Sequence, residues 1–293
     1  MIIEPQTQTS TPVIPLASQT STAPLLEVNK PLSLTVVIPS YNRPVVLLSL
    51  LRSLYTTSWQ YGQQQRLEIV VQDDCSPDFD VMDLLQGQPC KPQRNEKNLG
   101  FAGNCNAGAL RAAGDVLLFL NQDCIARPGW FEPLMQMFDD PEVGIVGPKL
   151  VIPTLTHDPA GDTIQSCGGL YDAGKGPYHR YIGYAADYWL ANMTQKVSWT
   201  TGAALAIPRK LFYDLQGYDI AYERGYFEDV DLCMKVKHIS KKEIWYTPNA
   251  VFEHSAGSTG GIPANIFKAN SIRFHTKWDR YITPDINAIK VNY

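Results

Sequence analysis

Charge is scarce in this sequence and nowhere concentrated. Of 293 residues only 18% are charged, the formal net charge is −4, and no block of Lys or Arg occurs. That excludes the basic stripe by which a protein holds nucleic acid or another polyanion. No stretch approaches the about 18 continuous apolar residues of a membrane span. The N-terminus has neither a basic n-region nor an apolar h-region, so no secretory signal is read there. The six cysteines, at positions 75, 90, 105, 124, 167 and 233, contain no C-x-x-C pair. This speaks against a zinc site or a redox motif and fits buried, reduced thiols in a cytoplasmic protein. Peripheral attachment at the inner face of a membrane stays compatible with every one of these absences.

What is present is an ordinary globular balance, 44% hydrophobic, with strong local periodicity. Residues 1–31 are rich in Thr, Ser, Gln and Pro and read as a disordered tail. From Leu34 the character changes. Leu34 to Ile38 is a β-branched run closed by Pro39. Pro44 suits the first turn of a helix, on which Leu47, Leu50, Leu51 and Leu54 share one face. Leu67 to Val71 is a second strand, Gly103 to Ala113 a helix, and Val116 to Leu120 a third strand. Pro128 opens a helix with Phe131, Leu134, Met135 and Phe138 on one side, and Val143 to Val146 is a fourth strand. Further on, Val197 to Ile207 reads as a strand and Pro208 as the start of a short helix. Glu228 to His238 reads as a helix and Ile244 to Tyr246 as a strand. A last helix over 264–281 has Ile266, Phe267, Ile272 and Trp278 as anchors. Strand and helix alternate, which predicts βαβ units and a parallel sheet covered on both faces. In such sheets ligands lie beyond the carboxyl ends of the strands. Three predicted strands end in polar clusters: Ser40-Tyr41-Asn42, Asp73-Asp74 and Asn121-Gln122-Asp123.

Each chemically equipped residue has two readings. Asp123 at a strand end suits a hard cation held by one or two carboxylates and substrate phosphates, or it is a turn aspartate. Asp73 and Asp74 either accept hydrogen bonds from a base or ribose or form a solvated turn. Glu228, Asp229 and Asp231 favour a helix start because of its dipole, yet an aspartate there, beside a crevice, is a candidate general base. His254 precedes the Gly- and Ser-rich loop 255–261, which lacks the ending of a P-loop. Asn98 to Gly103 reads equally as close helix packing. The Tyr- and Trp-rich stretch from Tyr171 to Trp189 reads as acceptor stacking, core or interface.

In order, these pieces resemble the family 2 glycosyltransferases. The matching stretches are VVIPSYNRP at 36–44, IVVQDDCS at 69–76, NLGFAGNCNAG at 98–108 and GDVLLFLNQD at 114–123. GIVGPKL at 144–150, TGAALAIPRKLF at 201–212, YFEDVDLC at 226–233 and AVFEH at 250–254 complete the set. NQD, GPKL and FEDVDLC look most like a rhamnosyltransferase-like branch. The resemblance implies an α/β GT-A fold, Rossmann-like, with a mostly parallel central sheet, helices on both faces and a smaller mixed acceptor-side subdomain. It divides the chain into a nucleotide-sugar-binding half, 32–150, an acceptor and catalytic half of the same domain, 151–263, and a C-terminal helix and tail, 264–293. It also implies inverting transfer from a nucleotide-diphospho-sugar, dTDP-rhamnose or a UDP-hexose, to a glycan or lipid-linked acceptor.

Residue by residue, the resemblance puts Pro39 and Tyr41 about the nucleobase. Asp74, with Asp73 beside it, bonds the base. Asn42, Gly100 and Asn106 complete the donor set. Asn121 and Gln122 stand where the family has D-x-D, which removes negative charge. Asp123 is the ligand of Mg²⁺ or Mn²⁺ and His254 completes the metal site. Asp229 is the catalytic base and Glu228 its neighbour. The rival class is a non-catalytic nucleotide-sugar or glycan-binding module, which has no need of the Glu228-Asp229 pair. A two-metal phosphoesterase lacks a dense enough set of ligands.

Overall fold

Strand β1, Leu34–Ser40, is buried along its whole length and outruns the sequence reading, which stops it at Pro39. Its pairing explains how a proline is tolerated. β1 pairs along all seven residues with β2, Leu67–Asp73, but with β4, Val116–Leu120, only from Leu34 to Val37. Pro39 therefore lacks its N–H where the β4 ladder has already ended. Helix α1, Pro44–Gln60, follows β1, and its predicted leucines at 47, 50, 51 and 54 are all buried. Between β2 and β4 lie α2, Val81–Leu84, a short strand β3, Lys91–Arg94, and α3, Gly100–Ala109. α3 starts three residues before the predicted helix and stops short of it, because Gly100 opens it at φ +73°, a conformation glycine adopts without strain. At Gly108 a Cβ would come within 2.6 Å of Val37, so this helix lies closer to the sheet than a side chain allows.

The computed structural model describes residues 31–60, 66–154, 161–172, 176–255, 262–282 and Asp285. The predicted N-terminal tail and most of loop 255–261 lie outside these residues. After β4 come β5, Cys124–Ala126, α4, Phe131–Gln136, and β6, Val143–Ile152. α4 begins at Phe131 rather than at Pro128. Next are β7, Thr163–Ser166, β8, Gly169–Asp172, β9, Gly176–His179, β10, Gln195–Lys196, and β11, Ala204–Pro208. The chain closes with α5, Arg209–Asp214, α6, Glu228–Lys235, β12, Glu243–His254, and α7, Ala264–Trp278.

The main sheet runs β10-β12-β6-β11-β4-β1-β2-β3. β1, β2, β3 and β4 are mutually parallel, as are β6 and β12, whereas β11 enters antiparallel between β4 and β6. Residues alternate between two cores. Val37, Leu117, Phe119, Leu205 and Ile207 face one, with α3, α5, α6 and α7 packed over it. Val36, Ile38, Leu118, Leu120, Ala204 and Ala206 face the other, beneath α1 and α4. Both faces are covered, which is why the central strands read as unbroken apolar runs.

Two expectations need correction. Val197 to Ile207 is not one strand: only Ala204–Pro208 joins the sheet there, and residues 198–203 run as irregular chain. On α7 the buried positions are Asn270, Phe274 and Trp278, while Phe267 and Ile272 are exposed. Apolar spacing passes over Asn270 because its surroundings are backbone carbonyls, described below.

Candidate active site

The parallel strands end in register, and this alone gathers the polar clusters. Ser40 pairs with Asp73 and Asp73 with Arg94, so the residues after β1, β2 and β3 emerge side by side. With the residues after β4 they line an open crevice of about 560 Å³. Its walls include Pro39, Tyr41, Asp74, Gly100, Asn121, Gln122 and Asp123.

The two adjacent aspartates have separate fates. Asp73, the last residue of β2, is fully buried and turned from the crevice. Its carboxylate pairs with Arg94 at 3.1 Å and accepts from the Ser76 amide at 3.0 Å and the Ser76 hydroxyl. Asp74, one residue on, faces the crevice. It accepts from Asn95 Nδ2 at 2.9 Å, from the Leu99 amide at 2.7 Å and from the Gly100 amide at 2.9 Å. It thus caps the start of α3, where a negative charge is favoured. Burial pushes its carboxyl up from the usual range, against these three donors. A carboxylate offers about four acceptor positions, so one remains for a ligand. Beneath it Gln72, Asn95 and Asn104 are joined at 2.8 Å to 2.9 Å. The sequence reading missed Asn95 and Asn104, because lone asparagines carry no pattern.

Gln122 ties the ends of β1 and β4 together. Its Oε1 accepts from Ser40 Oγ at 3.0 Å and the Tyr41 amide at 3.3 Å, and its Nε2 donates to the Tyr41 carbonyl at 2.9 Å. Asn42 takes a left-handed conformation, φ 53°, and its amide donates to Ser76 Oγ at 2.7 Å. Asn106 does not line the crevice. Its side chain clasps the backbone of Tyr218, with bonds of 2.9 Å and 3.0 Å. Arg224, absent from the sequence reading, does line the crevice. It lies in a non-periodic turn, where spacing gives no signal.

At the β4 edge Asp123 Oδ1 lies 3.1 Å from His254 Nε2, although 131 residues separate them in the chain. β5 pairing antiparallel with β12, His254 opposite Cys124, makes the meeting. His254 Nδ1 sits 2.7 Å from Gln165 Oε1 on β7, which can only accept. Gln165 thus orients the ring from behind, and Nε2 faces Asp123 with the Asn121 amide at 3.4 Å. A carboxylate and an imidazole nitrogen 3.1 Å apart, with the imidazole oriented from behind, are a donor set that fits a divalent cation. Cys124 also lies within the 4.8 Å cluster. Its thiol is fully buried, pushed well up by that burial, and directed at the Ala203 carbonyl at 3.7 Å, so it does not fit as a ligand.

Glu228 and Asp229 open α6, outside the crevice lining. The irregular segment 201–203 connects them to it. Ala203 O accepts from the Asn121 amide at 2.9 Å, and the Gly202 amide donates to Asp229 Oδ2 at 2.8 Å. The two bonds involve neighbouring residues, which sets the β4 edge within about 10 Å of Asp229. Phe101, on the crevice wall, packs on the same Gly202. Asp229 Oδ1 accepts from the Val230 amide at 2.8 Å. Glu228 is only 5% exposed, and its Oε2 has no hydrogen-bond partner among the described residues. Burial first, and the Asp229 charge second, push its carboxyl well up; burial also raises Asp229. Asp231, fully buried, accepts from Trp278 Nε1 and Lys277 Nζ at 2.7 Å each and from Tyr222 OH at 3.1 Å.

The aromatic stretch divides. Tyr171 is core, while Tyr181, Tyr184 and Tyr188 pack on one another with centroids 4.8 Å to 5.8 Å apart, and Trp189 is exposed.

A parallel-edged mixed sheet with this crevice defines the GT-A architecture, and solved structures of that class superimpose on it. GalNAc-T7, solved with UDP, GalNAc and Mn²⁺, matches with a TM-score of 0.66 at 19% identity over 85% of this chain and 50% of its own. The mannosyltransferase PcManGT from Pyrobaculum calidifontis, solved with GDP-Man and Mn²⁺, matches with a TM-score of 0.59 at 16% identity, covering 87% of this chain and 66% of its own. The sequence model of Glycosyl transferase family 2 matches residues 35–181, and the chain belongs to that family. The pre-mycofactocin glycosyltransferase of Mycobacterium tuberculosis is 27% identical over 75% of this chain and 42% of its own length. The chain spans less than half the length of the curated relatives it matches.

Proposed function

We propose that the chain is an inverting glycosyltransferase that moves a sugar from a nucleotide-diphospho-sugar to a hydroxyl of a glycan or lipid-linked acceptor in cell-surface polysaccharide synthesis. The observation that carries this reading is the short link through residues 201–203, which joins the Asp123–His254 edge to the Asp229 carboxylate. Inversion needs a base on the acceptor hydroxyl and a stabilised leaving group on the opposite face. Asp229 takes the hydroxyl proton as the oxygen attacks the anomeric carbon. The bond from that carbon to the diphosphate breaks, and its electron pair leaves with the diphosphate. Glu228, its carboxyl pushed well up by burial, stands beside the base. Asp123 and His254 would hold Mg²⁺ or Mn²⁺, which supplies charge neutralisation for the departing diphosphate. Tyr41, Pro39 and Asp74 contact the base end of the donor, and Arg224 offers the crevice a cation.

The rhamnosyltransferase-like segments favour dTDP-rhamnose as donor, with UDP-hexoses next. No helix among the described residues is long and apolar enough to cross a membrane. A lipid-linked acceptor would therefore be met by this part of the chain at the membrane surface. The test is thermal unfolding with UDP, dTDP and GDP, each with and without Mn²⁺ or Mg²⁺. A ligand at 100 times its Kd stabilises the native state by about 2.7 kcal/mol. A metal-dependent shift selective for one base supports the reading and names the donor class. No shift with any pair, together with no donor hydrolysis, overturns it.

A further inference from the structure

The four residues immediately before α6 share an unusual backbone. Arg224, Gly225, Tyr226 and Phe227 all have positive φ, at 60°, 127°, 70° and 76°. Three of them carry side chains, for which this region is strained. Such strain persists only where the surroundings over-determine it, and it gathers at functional sites. Here the surroundings are residues of α7, Asn270 foremost. Asn270 is 3% exposed, and its Nδ2 lies 2.8 Å from the Gly225 carbonyl, 3.1 Å from that of Glu223 and 3.4 Å from that of Tyr226. Three carbonyls admit only the amide's donor side, so the orientation of the side chain follows from its neighbours. Phe227 adds ring contacts to Phe267 and Phe274 on the same helix, at 5.4 Å and 5.5 Å.

The turn has two ends. At one, Arg224 lines the crevice; at the other stand Glu228 and Asp229. Without the clamp the chain would relax toward ordinary φ values and move both ends together. We infer that Asn270 is a positioning residue, whose side-chain amide fastens the left-handed turn 224–227 by its carbonyls and so aligns Arg224 with the donor and Asp229 with the acceptor hydroxyl. The inference rests on the glycosyltransferase reading for its catalytic part. Its structural part, that Asn270 holds the turn, stands apart from it.

The test uses the full chain carrying Asn270→Ala, Asn270→Asp (similar in size, no amide donors), Arg224→Ala, the pair Asn270→Ala with Arg224→Ala, and Ile272→Ser on the exposed face of α7. In Asn270→Ala, hydrogen exchange is expected to rise at the amides of 224–230 and nowhere else. kcat falls by on the order of 10²-fold, since small misplacement of reacting groups has that effect. Asn270→Asp loses at least as much, which ties the loss to the donors rather than to volume. Nucleoside diphosphate affinity weakens in Asn270→Ala and in Arg224→Ala, and the pair loses no more than the worse single variant, because contacts sharing one element are not additive. Ile272→Ser matches wild type throughout. Unchanged exchange at 224–230, kcat within twofold of wild type, or affinity losses that multiply in the pair each overturn the inference. Should Asn270→Ala not fold, Asn270→Ser, which keeps one donor, carries the same comparison. A wild-type chain that neither binds a nucleoside diphosphate nor transfers sugar overturns the functional reading, and the exchange result then decides the clamp alone.

Discussion

The crevice is bordered by two regions built on opposite terms. On the side of β1, β2 and β4, polar groups are largely paired with one another, although Asn42 Oδ1 has no hydrogen-bond partner among the described residues. Asp73, Asp74 and Gln122 each have two or more partners, and the strands beneath are in register. On the side of α6, a carboxyl group is buried with an oxygen that has no hydrogen-bond partner among the described residues, and it follows four residues of positive φ. The first region is made to be rigid before a ligand arrives. The second holds backbone strain and two carboxyls raised by burial, a combination that gathers at functional sites.

If this division is right, the two sides must fail differently. The largest effect is expected from Asp229→Asn: transfer falls by at least about 10³-fold, while nucleotide affinity stays within about threefold, because Asp229 makes no contact with the nucleotide in this reading. Steady-state kinetics beside calorimetric titration separate the two. Retained turnover removes Asp229 as the base. Next is Asp73→Asn, which breaks a buried pair and is expected to destabilise the fold by about 3 kcal/mol, read from urea unfolding, with little change in kcat for the enzyme that remains folded. Equal loss of kcat would mean that the donor side also holds a reacting group. Gln165→Ala frees the imidazole of His254 from behind and should weaken Mn²⁺ affinity by about 10-fold to 100-fold, measured by metal titration in the presence of nucleotide. Unaltered metal affinity would leave Asp123 and His254 without a cation.

The smallest effect is one of sign. The carboxyl of Glu228 is raised in the folded chain, so its share of stability is complete below the ordinary glutamate range near 4.5 and is lost as pH climbs through the raised value. Glu228→Gln should therefore unfold at a higher temperature than wild type, by about 2–4 °C near neutrality, with a gap that widens with pH and closes in acid. A gap that widens toward acid instead would mean a Glu228 that is ionised and paired. Because Glu228 and Asp229 titrate as a pair, the rise of transfer with pH reports the two together.

The sequence allowed the satisfied side to be read further than the strained one. Leucines at heptad-like spacing on α1 and continuous apolar strands announce a covered sheet, and strand ends announce a crevice. The separation of Asp73 from Asp74 was not legible, since it depends on which of two neighbours is the last to pair with β1. Asn106 entered the donor set through the family resemblance of segment 98–108, yet its side chain bonds the backbone of Tyr218. Arg224 and Asn270 left no trace. One lies in a left-handed turn without periodicity, and the other is a polar residue at an inward position, where an apolar pattern predicts an anchor such as Ile272. The break in the run from Val197 to Ile207 was hidden for a related reason: Gly202 and Ala203 look compatible with a strand until their hydrogen bonds are found at Asp229 and Asn121.

The dependence of residues 224–227 on α7 also has a temporal side. A chain leaves the ribosome from its N-terminus, and its early elements begin to fold while later ones are being made. β1, β2 and β4, with their share of the donor edge, are complete by residue 120. Asn270 and Trp278, which fasten the turn and cover Asp231, emerge some 150 residues later. A nascent or truncated chain lacking α7 would carry much of the crevice edge while Asp229 still followed an unfastened turn. On the proposed reading, the nucleotide side of the site is complete well before the side that would hold the base.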